Sequence, residues 1–287
     1  MYRRVLVAAG LALAALAGCG PLNPGTIIAT NGGNFNLRVL QGSPDVDTAS
    51  TIDARLDSAT GALLGTSIGY GKMTAYSPIG SGAHSLVVEA AGGTTPIMTC
   101  SLGALTPGAN YTVVVAGKFA AGVQTATTSL QCQVFAEPIY PTVTSPSANI
   151  AFHHAAPSAV TAGGTVLSIG TYPQNAPTTY TGWGTAQFAN PVSGVAFTTA
   201  SYVTINGSAT APGIGFYTAP SNGTTAPPTT VWSTLSPSQV NSAGVSGLTG
   251  TADTGNLFPT SGIMNFSLYA IDAQTGSTPV TLVGVFD

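Results

Sequence analysis

Phe35-Asn36-Leu37-Arg38-Val39-Leu40-Gln41-Gly42-Ser43-Pro44-Asp45 places apolar side chains at 35, 37, 39 and 40, with one base in their midst, then closes on Gly, Ser, Pro and Asp. An alternating apolar run that ends in turn formers reads as a strand and a turn. Working outward, Ile52–Leu56, His84–Ala90, Tyr111–Ala116 and Thr127–Phe135 have the same character, each rich in β-branched or aromatic residues. Gly, Pro, Asn and Ser breaks separate them at intervals of roughly 8 to 15 residues, the spacing of an all-β sandwich or barrel. Helical periodicity is nearly absent, and only Ser236–Ala243, opened by Ser236-Pro237, predicts a short helical turn.

Charge is scarce. Six Lys and Arg against nine Asp and Glu make 5% of 287 residues, where a soluble domain carries about 25%. So few bases exclude a basic nucleic-acid binder. Gly (36), Pro (20), Thr (41) and Ser (25) dominate, but apolar residues are spread throughout, so a folded, strand-rich chain is expected. Asp45, Asp47, Asp53 and Asp57 crowd one stretch, and Pro138 to Ala252 holds no Asp, Glu, Lys or Arg.

Arg3 and Arg4 precede an apolar run, Val5 to Ala17, that is shorter than the roughly 20 residues a spanning helix needs. It reads as the helical core of a signal peptide over residues 1–18. The run ends in Leu16-Ala17-Gly18-Cys19, which resembles the lipobox of bacterial lipoproteins. That resemblance implies cleavage before Cys19 and acylation of Cys19, giving a stable membrane anchor. Gly20 stands where an Asp would imply retention at the inner membrane, so the outer membrane is expected. With Cys19 acylated, Cys100 and Cys132 remain as one pair. Export and the absence of metal-site spacing predict a structural disulfide, two free thiols being the alternative.

A shift of 113 residues superposes Asn36-Leu37-Arg38-Val39 and Pro44 on Asn149-Ile150-Ala151-Phe152 and Pro157. The same shift places Gly69-Tyr70-Gly71 on Gly182-Trp183-Gly184. Tyr111–Lys118 meets its counterpart only at Phe266–Asp272, so the second copy carries extra residues, assigned to about 206–262. The reading is two tandem β-sandwich modules: an anchor segment 19–34, a first module 35–136, a Pro-rich linker 137–147 and a second module 148–287.

Leu37-Arg38-Val39-Leu40-Gln41-Gly42-Ser43-Pro44-Asp45 resembles the opening strand and turn of the bacterial domain of unknown function 4397. So do Ile150 to Pro157 with its His154-Ala155, Gly92-Gly93-Thr94-Thr95-Pro96, and Leu105-Thr106-Pro107-Gly108 leading into Tyr111-Thr112-Val113-Val114. The resemblance covers about 36–135 well and 148–287 loosely. It implies immunoglobulin-like β-sandwiches on secreted or lipid-anchored proteins and lends no catalytic residue.

Several residues invite chemistry. Gly65-Thr66-Ser67-Ile68-Gly69 matches a nucleophile elbow, but that chemistry needs a strand, a sharp turn and a helix, and Tyr70-Gly71 follows at once. A hydrolase built on Ser67 would also have to recruit Glu89 or Glu137 and a distant His. His153 and His154 are adjacent on a strand and point to opposite faces, which suits hydrogen bonding better than metal binding. The early Asp cluster lacks EF-hand spacing and reads as turn chemistry rather than a calcium site. Among the second copy's aromatics, Trp232 and Tyr217 are the candidates for ligand contact. The expectation is therefore a lipid-anchored envelope protein without catalytic, cofactor or metal sites, with a structural, adhesion or display role. Its partners would be the membrane through Cys19 and envelope glycan or other envelope proteins. A carbohydrate- or peptidoglycan-binding module is the alternative, and a secreted serine hydrolase the weaker one.

Overall fold

The computed structural model describes residues 33–46, 51–119, 129–140, 147–173, 181–187, 197–199, 202–206, 214–221, 230–235, 265–274 and 278–286. They form strands β1 (Asn34–Gln41), β2 (Thr51–Leu56), β3 (Leu63–Gly69), β4 (Ser77–Gly80), β5 (Ala83–Ala90), β6 (Pro96–Ala104), β7 (Asn110–Ala116) and β8 (Gln131–Ala136). There follow β9 (Ser147–Ala155), the short helix α1 (Pro157–Thr161), β10 (Val166–Pro173), β11 (Thr181–Gln187), β12 (Phe197–Thr199) and β13 (Tyr202–Asn206). The last are β14 (Ile214–Pro220), β15 (Ser233–Leu235), β16 (Asn265–Asp272) and β17 (Val280–Phe286). The fold is all-β, as the strand spacing predicts.

Four sheets result. Two are built on the first half of the chain, ordered β4-β1-β7-β8-β12, with β12 contributed by the second half, and β3-β2-β5-β6, and two lie in the second, ordered β13-β9-β16-β17 and β11-β10-β14-β15. Strand alternation sends Leu37, Val39, Val113, Val115 and Val134 of the first sheet to one face. There they meet Ile52, Ala54, Leu86, Val88 and Leu102 of the second sheet in a core closed to water. Ile150, Phe152, Leu268 and Leu282 meet Leu167, Ile169 and Phe216 in the same way further along. Each fully buried Leu, Ile, Val or Phe contributes about 1.5–3 kcal/mol of transfer free energy.

The two halves share register as well as strand order. β1 pairs in parallel with β7, aligning Asn36 with Asn110, and β9 pairs in parallel with β16, aligning Asn149 with Asn265. In both places one side-chain amide donates to the next, Asn36 Nδ2 to Asn110 Oδ1 at 2.8 Å and Asn149 Nδ2 to Asn265 Oδ1 at 3.0 Å. A one-residue slip would expose every core side chain of the strand, and these amide pairs mark the register at its start.

Elsewhere the halves diverge from the sequence reading. Tyr70 lies beyond the end of β3, whereas Trp183 is the third residue of β11, so this landmark does not repeat. The β2–β3 pair carries two register shifts that consume residues of β3 early. Nor is 206–262 wholly an insertion, since it contains β14 and β15, which hold the sheet positions of β5 and β6. From β6 to β7 the chain runs from Ala104 to Asn110, but from β15 to β16 it runs from Leu235 to Asn265. Most of the added length sits there. The helical turn expected at Ser236–Ala243, the signal segment 1–18 and Cys19 lie outside the described residues.

The outward faces of β1-β7-β8 and β9-β16-β17 pack against each other. Leu40, Val114, Ala116 and Phe135 form one apolar cluster with Ala155, Tyr269, Ile271, Val283 and Val285. β12 then reaches from the second half to pair in parallel with β8, at Val134, Phe135 and Ala136.

Cys100 of β6 and Cys132 of β8 form a disulfide with Cα atoms 6.1 Å apart, stapling the two sheets of the first half at one edge. The closed loop spans a sequence separation of 32. Replacing both residues with Ser is expected to lower unfolding free energy by about 3–4 kcal/mol, read from the denaturant midpoint. No change would mean the core alone holds that edge.

Candidate functional site

Among the described residues, the largest assembly of polar side chains is buried between the two packed faces. Its centre is Glu137, which the sequence places at the start of a Pro-rich linker. Instead its backbone N–H donates to Asn110 O at 2.9 Å, continuing the β7–β8 ladder, and its carboxylate turns inward. Oε1 accepts from the Thr112 hydroxyl, from Tyr269 Oη and from Arg38 Nη2, the last at 3.5 Å. Oε2 accepts from Ser267 Oγ at 3.2 Å and lies 3.2 Å from His153 Nε2. Arg38 Nε donates to Thr112 Oγ1 at 2.8 Å, and its guanidinium rests 4.4 Å from the centre of the Tyr76 ring. His153 stacks on Tyr269 at 4.6 Å and meets the Phe135 edge. Tyr140 Oη lies 3.1 Å from Ser267 Oγ, so the Pro-rich segment is pinned at this end too.

Burial by itself would raise the Glu137 pKa. His153, Arg38 and the Thr112 hydroxyl outweigh it and hold the carboxyl well below its usual range. Ser267, Glu137 and His153 are also the makings of a triad, but in the wrong order. The carboxylate sits between hydroxyl and imidazole, so the imidazole does not reach the hydroxyl, and all three are shut from water.

A second buried acid lies at the same interface. Asp272 Oδ2 accepts from Gly117 N at 2.9 Å and Oδ1 from Ser158 N at 2.8 Å, joining the end of β7 to the start of α1. Burial pushes its pKa up to about 6, against the lowering effect of those N–H donors and of Lys118. Tyr70 Oη donates to Asp272 O, and burial pushes the phenol up to about 12.

His154 faces the other way from His153, as alternation requires. Nε2 donates to Gly164 O at 2.8 Å and Nδ1 accepts from Ala156 N at 3.3 Å. Only a neutral ring can donate and accept in this way. Burial lowers its pKa to about 4, the Gly164 carbonyl resisting.

The remaining candidates serve turns and packing. Asp53 accepts from Ser67 N at 2.7 Å and Gly92 N at 3.0 Å, Asp57 from Ser85 N at 2.9 Å with His84 Nδ1 at 3.0 Å, and Asp45 from Phe119 N at 2.8 Å. Asp47 lies outside the described residues. Ser67 has a positive φ of 47° where Thr66 and Ser67 face Asp53 across a bulge. β3 then ends in a turn and not in the helix an elbow requires. Glu89 is paired with Arg55 at 3.2 Å.

Tyr217 cannot serve as a contact residue. It is 1% exposed because its ring lies over Gly170 of the neighbouring strand, where a Cβ would stand 2.5 Å from Cε1. Trp232 is half-buried against the second core, its ring over Gly164 with 2.4 Å to a notional Cβ. Arg38, Thr112, Ser267, Tyr269 and Asp272 were missed in the sequence reading. The available signal was their placement at non-core positions of strongly apolar strands.

A family model described as Domain of unknown function (DUF4397) matches residues 35–162, from β1 through α1. No curated protein matches the chain. Among solved structures it is similar to the Bacillus anthracis TIE protein, at 9% identity over 65% of this chain and 28% of that one, TM-score 0.20. It is similar to the multi-modular glycogen-degrading pneumococcal virulence factor SpuA at 12% identity, 66% and 18% coverage and TM-score 0.21. A candidate adhesin from Bacteroides ovatus gives 12% identity, 88% and 95% coverage and TM-score 0.25. The chain thus spans less than a third of the length of the first two.

Two outcomes are expected. Glu137→Ala leaves Arg38 buried without its carboxylate and costs about 3–5 kcal/mol in denaturant unfolding; a loss within experimental error would show that the apolar interface suffices. His154 takes a proton near 6.5 when unfolded and about 4 when folded. Its stability contribution is therefore complete above pH 6.5 and lost as pH falls toward 4, by about 3 kcal/mol. His154→Gln, which can still donate to Gly164 O, should flatten that slope. Asp272, raised, works in the opposite sense in both proteins, so equal slopes would contradict the assignment.

Proposed function

We propose that this is a lipid-anchored cell-envelope protein with a non-catalytic structural, adhesion or display role. In this reading it is built from two tandem immunoglobulin-like modules of the DUF4397 kind. Cys19, acylated after removal of residues 1–18, holds it to the membrane, the outer one where the cell has two. The observation that carries this reading is the fate of the ionisable side chains. Glu137, Asp272, His153 and His154 are committed to joints inside the fold, and Asp45, Asp53 and Asp57 to backbone turns. Acid–base catalysis needs such groups converging on an accessible reacting atom, and these converge on each other. A chain whose buried ionisable groups tie strands, turns and two packed sheets together suits a spacer or platform that keeps a fixed shape away from the membrane.

Fractionation tests the anchor. Cys19→Ser should move the protein from the membrane to the soluble envelope fraction with its fold intact by circular dichroism. Unchanged membrane partition would remove the lipid-anchored reading.

A further inference from the structure

The disulfide closes one side of the first sandwich, between β6 and β8. On the opposite side β3 ends its sheet, and the chain after Tyr70 runs back along β1. Gln41 N donates to Lys72 O at 3.0 Å and Thr74 N to Val39 O at 2.9 Å. Between β3 and residues 72–75 lies a groove of about 370 Å³. Its floor is Ile68 and Met73, both buried, and its rim carries the exposed residues Thr66, Ser67 and Lys72. Gly65 closes one end, where a Cβ would stand 2.5 Å from Thr74 Cγ2, so the two sides touch. At the other end the Lys72 stem lies beside Gly69, 3.6 Å from a notional Cβ.

The rim is held in place by the fold. Thr66 and Ser67 form the bulge opposite Asp53, and Ser67 N donates to Asp53 Oδ1 at 2.7 Å, which fixes Ser67 at its φ of 47°. The Thr66 and Ser67 hydroxyls make no hydrogen bond among the described residues. Thr74 Oγ1 accepts from Val39 N at 3.0 Å and keeps its own hydrogen to donate. Lys72 is the one ionisable group that lines the groove. Among the described residues it is also the base left without an acid. Arg38 meets Glu137, Arg55 meets Glu89, and Lys118 lies near enough to Asp272 to act on it.

We infer that this groove is a binding site for an acidic saccharide, with a sugar carboxylate on the Lys72 ammonium and sugar hydroxyls on Thr66, Ser67 and Thr74. A single unanswered ammonium calls for a single negative charge. That is a carboxylate and not a phosphate monoester, which carries about two at pH 7. Side-chain hydroxyls both donate and accept, and so do the hydroxyls of a sugar ring. A peptide strand fits worse, because the bulge and the left-handed Ser67 break the regular edge that strand addition needs. The volume is at the low end for small-molecule sites, so the ligand is a short stretch of a sugar chain. One exposed ion pair contributes little, so affinity is millimolar, and retention comes from many contacts along a polymer. The inference goes beyond the anchored, non-catalytic reading and is independent of Cys19, since the groove would act in the same way without an anchor.

Titration of the full chain with sodium glucuronate, followed by amide shifts in NMR spectra, tests it. Shifts at Thr66, Ser67, Gly69 and Lys72 should saturate in the millimolar range, and added salt should weaken them. Lys72→Gln, an exposed change that keeps the stem, should weaken binding about fivefold with the fold intact by circular dichroism. Thr66→Val should weaken it by a smaller factor. Glucose, the same ring without the carboxylate, should bind the unaltered protein as weakly as glucuronate binds Lys72→Gln. Acetate that matches glucuronate would mean that Lys72 attracts any small carboxylate, and the saccharide would be wrong. Inorganic phosphate that binds more tightly would overturn the carboxylate. No saturating shift at the groove, or shifts that Lys72→Gln leaves unchanged, would remove the site.

Discussion

Glu137 is the group around which the interface is arranged, because a carboxylate buried that deeply must be answered by donors from everything near it. Isolated burial of such a charge is prohibitive. The donors come from both sides: Arg38 and Thr112 from β1 and β7, His153, Ser267 and Tyr269 from β9 and β16. Apolar packing among Leu40, Phe135, Ile271 and Val285 brings the two faces together but does not by itself fix their relative setting. Five directional bonds to one carboxylate do. Shifting the faces by even one residue would strand the charge, so the arrangement of four sheets is specified as well as stabilised.

The remaining buried groups act at the rim of the same joint. Asp272 collects N–H groups from Gly117 and Ser158, one from each half, and Tyr70 caps the carbonyl of Asp272 from a turn after β3. Burial drives the Asp272 and His154 pKa values toward their neutral forms, and the surrounding N–H and C=O groups decide how far. A chain with 5% charged residues has few such groups to place, and of these Arg38, Glu137 and Asp272 are buried at this joint.

Strand existence and type were legible because alternation and turn formers are local signals. The Asn36/Asn149 correspondence was legible for the same reason, and the disulfide through parity of the cysteines. Tyr70 and Trp183 misled because a Gly-aromatic-Gly triplet carries no register, and bulges between β2 and β3 displaced one of the pair. Tyr217 misled because its exposure depends on Gly170 in a strand about 47 residues away, which no local pattern encodes. Glu137 followed a good strand and preceded prolines, and by composition that is a boundary. Its role depends on Tyr269, at a sequence separation of 132, and only the folded arrangement relates them.

The comparison of the halves shows which constraints the fold keeps and which it lets vary. The Asn pair and the parallel central strands recur in both, since register errors there would expose a whole face. The edge staple recurs in position but not in chemistry, a covalent bond in one half and a hydroxyl accepting a backbone N–H in the other. A neutral hydrogen bond contributes about 1 kcal/mol, well short of the cross-link, so the second half must draw its edge stability from elsewhere. Stacked Phe216 and Phe266, 5.6 Å apart, and Phe266 lying over Gly284 supply it. The position of the staple is thus what the architecture demands, because it holds the two sheets of a sandwich together where β8 and β17 would otherwise splay. The bond that fills it is free to follow whatever the neighbouring core provides.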